Sequence, residues 1–284
     1  MINQYYIYNL LKNKNKNKKT YIHLLHLLSN SSSLEIKDII DILETIRYEK
    51  KKKNDLYYFN KIILRKEENY DNSIRHAEIL YYLFQKYLFF LKTNNYNINK
   101  NMKVLDYGCG HCTLGIHFSK LLGLEKSYGC DINNWNEKFY EKKSDYLQFK
   151  NIKENEKVSF ENEYFDVVII SMVLHHVKNN SFIFRELYRL LKPNGILIIR
   201  EHDAVSQTDK MLIDLQHYIY MYITYGHKIY EKNKNYYAKY KSIQEWILIL
   251  KKYKFKNFMH NYEFSNYKRP EIKIMRQSII FCHK

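Results

Sequence analysis

The sequence is poor in the residues that interrupt regular structure, and it has no long apolar run. Its 284 residues include only 7 glycines and 2 prolines. A helix that crosses a membrane needs about 18 consecutive apolar residues. The most apolar stretch, residues 79–91, is shorter and carries Gln85 and Lys86. We therefore expect a buried helix at this position and no membrane insertion. A chain of this length can bury a sizeable core.

Cysteine is also scarce, with four residues at Cys109, Cys112, Cys130 and Cys282. They do not form a disulfide framework, which predicts a reducing, cytoplasmic location. Cys109 and Cys112 have C-x-x-C spacing, but a zinc site would need a second pair of ligands and a redox motif a thioredoxin-like context. Neither is present in the sequence, so we expect no metal.

Acidic residues are far outnumbered by basic ones. Lys and Arg total 47 against 30 Asp and Glu, which gives a formal net charge of +17. A polyanion such as RNA would be attracted by this charge. However, the residues in excess, Lys, Asn, Tyr and Ile, share A/T-rich codons, whereas the scarce glycine and proline have G/C-rich ones. Compositional drift therefore explains the charge better than a nucleic-acid partner does.

The N-terminal third differs from the rest of the chain. Residues 1–34 contain no acid and alternate Lys with Asn over residues 12–18, which predicts a flexible basic arm. Import into an organelle is the alternative that an acid-free start leaves open. Ser32 and Glu35 have capping-box spacing, and two amphipathic patterns follow, the second at about residues 73–92. These features predict a helical extension or lid over residues 35–95.

From Met102 onward, short apolar strands alternate with helical segments. This alternation predicts an α/β domain over residues 96–284, with an insertion around residues 204–240. The sheet is expected to be doubly wound, mostly parallel and seven-stranded, with helices on both faces. The predicted strands are Lys103–Tyr107, Ser127–Asp131, Tyr146–Phe149, Phe165–Ser171, Gly195–Glu201, Phe255–Tyr262 and Ser278–His283.

The strongest local signal is a glycine-rich turn after the first of these strands. The strand ends at Asp106, and Gly108-Cys109-Gly110 then opens a helix. Five of the seven glycines lie between Gly108 and Gly129, although the chain otherwise avoids glycine. Such glycines let a ligand approach the backbone closely. Asp131 follows Gly110 by 21 positions, close to the offset of roughly 20 at which an acid binds ribose hydroxyls.

Together these motifs resemble those of class I S-adenosylmethionine-dependent methyltransferases of the small-molecule type. The run Asp106–Gly115 is similar to their first motif. Residues 165–177, with Phe165-Asp166, Ser171 and the His175-His176 pair, resemble their fourth-strand motif. Residues 182–199 resemble the helix, turn and fifth strand that follow. The resemblance covers about residues 102–203 and implies a Rossmann-like fold with S-adenosyl-L-methionine as cofactor.

The resemblance also implies how the cofactor is held. Gly108 and Gly110 would lie against its amino-acid part, with Asp106 near its ammonium group. Asp131 would bind the ribose. An acid after the third strand and the backbone of the following residue contact adenine in this family. Counting back from the fourth strand assigns that role to Glu154 and Asn155. Ser171 would face the methionine part.

Polar residues after the fourth and fifth strands are the catalytic candidates. His175 follows the fourth strand, and Glu201, His202 and Asp203 follow the fifth. Histidine titrates near neutrality and suits proton transfer, although His175 and His176 could equally be packing residues. The predicted function is methyl transfer from S-adenosylmethionine to an unidentified, small-molecule acceptor. The alternatives are an RNA methyltransferase and a non-catalytic, methyltransferase-like binding subunit.

Overall fold

The computed structural model describes the chain in five continuous stretches and several short pieces. The described residues are 72–90, 98–133, 145–207, 237–262 and 276–284, with short pieces within 21–41 and 209–217. Most of the predicted basic arm and most of the predicted insertion fall outside these residues. The described residues of the arm, Tyr21, Ile22, Leu25, His26 and Ser29, are helical. Residues 36–41 are helical, whereas Ser32 of the predicted capping box lies outside the described residues.

All seven predicted strands are present. Five of them have a boundary that differs from the prediction by one to four residues. They are β1 (Val104–Tyr107), β2 (Ser127–Asp131), β3 (Leu147–Asn151), β4 (Phe165–Ser171), β5 (Leu191–His202), β6 (Lys256–Tyr262) and β7 (Gln277–His283). Four of the first five strands, β1, β2, β4 and β5, are buried along most of their length. Strands of a parallel sheet have this character because helices cover both faces.

Four helices complete the described architecture: α1 (Asn72–Phe90), α2 (Thr113–Leu121), α3 (Asn180–Leu190) and α4 (Ile243–Lys252). The range of the first helix coincides closely with the amphipathic pattern predicted at about residues 73–92. A capping box fixes the start of α4, where the Ser242 hydroxyl accepts from the Glu245 backbone N–H. Among the described residues, no helix combines the length and apolar character that crossing a bilayer requires.

The strands form one sheet in the order β3-β2-β1-β4-β5-β7-β6. The first five strands run parallel, and β7 lies antiparallel between β5 and β6. This arrangement confirms the predicted mostly parallel, doubly wound sheet. The strand order reverses between β1 and β4, and ligands of open α/β sheets bind beyond the carboxyl ends of the strands at such a point.

The core has two layers because successive strand residues face opposite sides of the sheet. Val168 and Ile170 of β4 face the layer that contains Trp246 of α4. Val167 and Ile169 face the opposite layer, which contains Phe84 of α1. All of these side chains are fully buried. Full burial of a side chain of this size stabilises the fold by about 1.5–3 kcal/mol, so the central strands hold their carboxyl ends in fixed positions.

The structure divides the chain into two compact units. One contains residues 1–70 and 206–236, and the other contains residues 71–205 and 237–284. The helix α1 therefore belongs to the same unit as the sheet, whereas the sequence predicts that it is part of the extension over residues 35–95. Its apolar side is the reason, since Leu80, Phe84 and Leu88 pack in the sheet's core. The roles predicted for the arm and the extension stay predictions.

Candidate active site

The glycine loop, residues 108–112, connects the end of β1 to the start of α2. Gly108 and Gly110 have φ angles of 74° and 53°, in the left-handed region that favours glycine. A Cβ on Gly108 would lie 2.5 Å from Cγ2 of Val173, whereas one on Gly110 would meet no atom within 4 Å. The loop is thus pressed against the segment after β4 at Gly108 and open at Gly110.

Hydrogen bonds tie this loop to the neighbouring strand β2. The backbone N–H groups of Gly108 and Cys109 both donate to the Cys130 carbonyl, at 2.7 and 3.0 Å. The Gly110 N–H donates to Oδ2 of Asp131 at 2.9 Å, and the Asn133 N–H donates to Oδ1 at 2.8 Å. Both oxygens of the predicted ribose-binding carboxylate are therefore held in position by backbone groups.

Asp106 is the second carboxylate beside the loop and is almost completely buried. Its Oδ2 accepts a hydrogen bond of 3.0 Å from the Gly115 N–H in the first turns of α2. Burial raises the pKa of Asp106 to about 7; the Gly115 hydrogen bond opposes this shift, and the nearby charge of Asp131 adds to it. A cationic group bound here would favour the ionised form of Asp106.

The adenine contacts predicted for Glu154 and Asn155 fall in a turn after β3. Both side chains are exposed, and Asn155 has a φ of 61°. The structure gives neither residue a contact that tests the prediction. It does bring Asn151 to the site, a residue that the sequence analysis had not selected. Its Nδ2 donates to the Asp131 carbonyl at 3.1 Å, because the two residues pair in register across β2 and β3.

Ser171 lies at the end of β4, opposite Arg200 in the register of β4 and β5. Nη1 of Arg200 donates to the Ser171 hydroxyl at 3.4 Å. The guanidinium group also contacts His76 of α1 and Gln277 of β7. The buried Arg200 side chain therefore links the end of β4 to α1 and β7. It also contacts Ser171, which is predicted to face the methionine part of the cofactor.

The most distinctive group at this edge is a buried pair of His175 and Glu201. Nδ1 of His175 lies 2.7 Å from Oε2 of Glu201, and the side chains are each 1% exposed. The backbone N–H of His175 also donates to Oε1 of Glu201, at 3.4 Å. His175 lies in a single 3-10 turn after β4 (Leu174–His176), and Glu201 lies near the end of β5. The two residues meet because β4 and β5 are adjacent and parallel.

The charge of Glu201 is favoured by this pairing. Burial raises the pKa of Glu201, but the charge and hydrogen bonds of His175 outweigh burial and hold the pKa below its usual value. A carboxylate that accepts the Nδ1–H of a histidine fixes its tautomer and orientation, and it stabilises the imidazolium form. The arrangement can therefore accept a proton at Nε2.

Aromatic rings surround the pair. The His175 ring lies 5.2 Å from that of His202 and 5.6 Å from that of Tyr240, measured between centroids. The backbone of residues 237–240 closes around it, since the Lys239 N–H donates to the His175 carbonyl at 2.8 Å. Tyr240, which had been placed only within the predicted insertion, is thus part of the wall around His175.

Asp203, also considered as a catalytic group, has a structural environment. Its Oδ1 accepts from the Ile243 N–H at the start of α4, at 3.0 Å, and its Oδ2 accepts from the Tyr262 hydroxyl at 3.1 Å. Arg276 lies 3.5 Å from the same oxygen. These contacts anchor α4 and β6 to the end of β5, which accounts for the burial of this acid.

The loop also contains a disulfide between Cys109 and Cys112. The C-x-x-C spacing by itself predicts no redox role, because neither a thioredoxin-like context nor a second cysteine pair is visible in the sequence. The Cys112 N–H donates to the Cys109 carbonyl at 2.7 Å, and this turn brings the two Cα atoms to 4.5 Å. This separation lies at the short end of the range found for disulfides.

Comparison with known proteins gives one family match and several relatives. The family model described as "Methyltransferase domain" matches residues 98–261, more than half of the chain. An uncharacterized methyltransferase of Schizosaccharomyces pombe is 29% identical over 155 residues, which are 49% of this chain and 54% of that protein. A ubiquinone/menaquinone biosynthesis C-methyltransferase, UbiE of Vibrio vulnificus, is 33% identical over 109 residues, 35% of this chain and 40% of that protein.

Solved structures are similar at lower identity. A SAM-dependent methyltransferase from Archaeoglobus fulgidus is 18% identical with a TM-score of 0.49, over 73% of this chain and 94% of that one. The chain spans about half or less of the length of the curated relatives it matches. The family match covers the first five strands, nearly all of β6, the glycine loop and both partners of the buried pair. The chain therefore belongs to the family of methyltransferase domains, as a class I S-adenosylmethionine-dependent methyltransferase.

Proposed function

We propose that this protein transfers a methyl group from S-adenosylmethionine to a small-molecule acceptor that gives up a proton during the reaction. The observation that carries the proposal is the buried His175–Glu201 pair, which supplies a proton acceptor. The glycine loop and its two carboxylates lie at the same edge of the sheet, because all of these residues follow or end parallel strands.

The residues of the loop fit the proposed cofactor. When bound, S-adenosylmethionine supplies a methyl group that its sulfonium centre has already activated. Asp131, whose carboxylate is held by the Gly110 and Asn133 N–H groups, would bind the ribose hydroxyls. Asp106 would hold the ammonium group, partly through water. The open space at Gly110 leaves the backbone accessible there.

The charges at the loop favour this cofactor over a dinucleotide. A pyrophosphate would be repelled by Asp106, the acid ahead of the glycines, whereas an ammonium and a sulfonium group would be attracted. The loop also has Thr113 at the position of the third glycine of the dinucleotide-binding motif. Our assignment for the cofactor pocket remains Asp106, Gly108, Gly110, Asp131, Glu154, Asn155 and Ser171.

His175 is our assignment for the general base. In the neutral ring with Nδ1–H directed at Glu201, the lone pair would lie on Nε2 and could take a proton from the acceptor. Positioned proton transfer of this kind contributes about 10²–10⁴-fold to a rate. His202 and Tyr240, which pack around the ring, exclude water and limit its movement.

The acceptor is proposed to be small, with the accepting atom bearing a proton. The name of the Vibrio vulnificus relative supports this choice, since a C-methyltransferase replaces hydrogen on carbon. RNA is the second candidate, and the net charge of +17 is the observation that favours it. A non-catalytic subunit is less well supported, because it would have no use for a buried proton acceptor.

Labelled methyl transfer tests the proposal. The full chain is incubated with methyl-labelled S-adenosylmethionine and with separate RNA and metabolite fractions. We expect label in the metabolite fraction, greatly reduced by His175→Ala and unchanged by the exposed control His260→Asn. Label confined to RNA would overturn the proposed acceptor class. Cofactor binding without transfer to either fraction would favour the binding subunit.

A further inference from the structure

The cysteine pair of the glycine loop lies against β2, the strand that ends at Asp131 and pairs with the strand that carries Asp106. The Cys109 N–H donates to the Cys130 carbonyl in β2, next to Asp131. Gly129 of β2 pairs in register with Asp106 of β1. A Cβ on Gly129 would lie 2.6 Å from Sγ of Cys112 and 2.9 Å from Sγ of Cys109. The two sulfurs therefore occupy the space that the missing side chain of Gly129 leaves.

The two sulfurs differ in their access to solvent. Cys112 is 1% exposed and packs with Ile116 of α2 and Leu147 of β3, whereas Cys109 is partly exposed. Cys112 is also the N-terminal cap of the nine-residue helix α2. The positive end of a helix favours the thiolate form of a cysteine. An external disulfide can thus be attacked first by Cys109, and Cys112 can then complete the exchange.

We propose that Cys109 and Cys112 form a reversible dithiol–disulfide site that controls cofactor affinity. Exchange with glutathione disulfide is balanced. The Cys109 thiolate attacks one glutathione sulfur and releases the first glutathione thiolate. The Cys112 thiolate then attacks Cys109 in the mixed disulfide and releases the second. The two thiol protons of the protein end on the two glutathione molecules, which are reduced as the pair is oxidised.

The expected effect is tighter binding in the oxidised form; this inference rests on the proposed use of S-adenosylmethionine. The cross-link spans Gly110, whose N–H holds the Asp131 carboxylate at 2.9 Å. Fixing the ends of this turn reduces the freedom that the loop must lose when a ligand binds. A loop held in its bound conformation binds more tightly because less ordering remains to be done.

The test measures both the redox state and binding on the full chain. The protein is oxidised with glutathione disulfide or reduced with a phosphine, and intact-mass measurement after thiol alkylation reports the state of the pair. Calorimetry with S-adenosylmethionine then gives the affinity of each form. We expect the oxidised form to bind about three- to tenfold more tightly. Cys109→Ser, at the less buried position, should bind like the reduced form in both conditions, and Cys282→Ala should keep the difference.

The possible outcomes distinguish failure of the redox inference from failure of the proposed cofactor. Equal affinities of the oxidised and reduced forms, or tighter binding by the reduced form, would overturn the redox site and leave the proposed cofactor intact. Failure of glutathione disulfide to join the pair would overturn the redox site as well. Absence of S-adenosylmethionine binding in both forms would overturn the proposed cofactor together with this inference.

Discussion

The backbone N–H of Gly110 donates a hydrogen bond of 2.9 Å to the carboxylate of Asp131, and this contact joins the two parts of the proposed cofactor pocket. The glycine belongs to the loop after β1, and the acid ends β2. Gly110 and Asp131 are 21 positions apart in the sequence, and they are in direct contact because β1 and β2 are adjacent parallel strands.

Removal of the Asp131 carboxylate should weaken cofactor binding. We expect Asp131→Ala to lower the affinity for S-adenosylmethionine by about 10- to 100-fold, because charged hydrogen bonds contribute roughly 1.5–3 kcal/mol. Calorimetry measures the change. Asp145→Ala, at an exposed acid of the turn before β3, is the matched control and should leave the affinity unchanged. Equal losses in the two variants would contradict the assignment of the ribose site.

The stability of the protein without cofactor should depend on Asp106. Its pKa is raised to about 7 in the folded protein, above the ordinary value of 3.8. The fold therefore favours the protonated form, so this contribution to stability is fully present below the unfolded pKa and is lost as pH rises through about 7. Asp106→Asn should remove this loss. In denaturant titrations, its stability relative to the wild type should increase from pH 4 to pH 8. A constant difference across that range would contradict the raised pKa.

Gly108 should tolerate no side chain. A Cβ there would meet Val173 at 2.5 Å and would also impose a φ of 74° on a residue with a side chain. We expect Gly108→Ala to destabilise the fold by about 1–3 kcal/mol, measured by denaturant titration. The double variant Gly108→Ala with Val173→Ala should recover part of this loss, because the contact is relieved while the backbone strain remains. No recovery would show that the contact with Val173 is unimportant.

His175 and Glu201 should act as one unit in catalysis. We expect His175→Ala to reduce kcat by about 10²–10⁴-fold and Glu201→Gln by a smaller factor, with melting temperatures recorded for every variant. The double variant should be about as slow as His175→Ala alone, because residues that work together show strongly non-additive losses. Fully additive losses would mean that Glu201 does not act through His175.

The sheet could be predicted from the sequence because its signals are local. Each strand from β1 to β5 is a short run with strongly apolar members next to a helical pattern, and the glycine turn and Asp131 have a characteristic spacing. These signals depend on neighbours along the chain. The same is true of the amphipathic pattern that predicts α1 closely.

Contacts between distant residues could not be predicted in the same way. His175 and Glu201 were each selected from the sequence, but their 2.7 Å contact depends on the register of β4 with β5. The structural contacts of Asp203 depend on Ile243 and Tyr262, which follow it by 40 and 59 positions. Packing of α1 on the sheet likewise depends on a surface that no local pattern describes.

Binding of S-adenosylmethionine to the full chain, compared with binding of NAD, tests the central claim most directly. Calorimetry should give saturable binding of S-adenosylmethionine that Asp131→Ala weakens, and no measurable binding of NAD, because its pyrophosphate would face Asp106. Binding of NAD in preference to S-adenosylmethionine would contradict the account of the glycine loop and its two carboxylates.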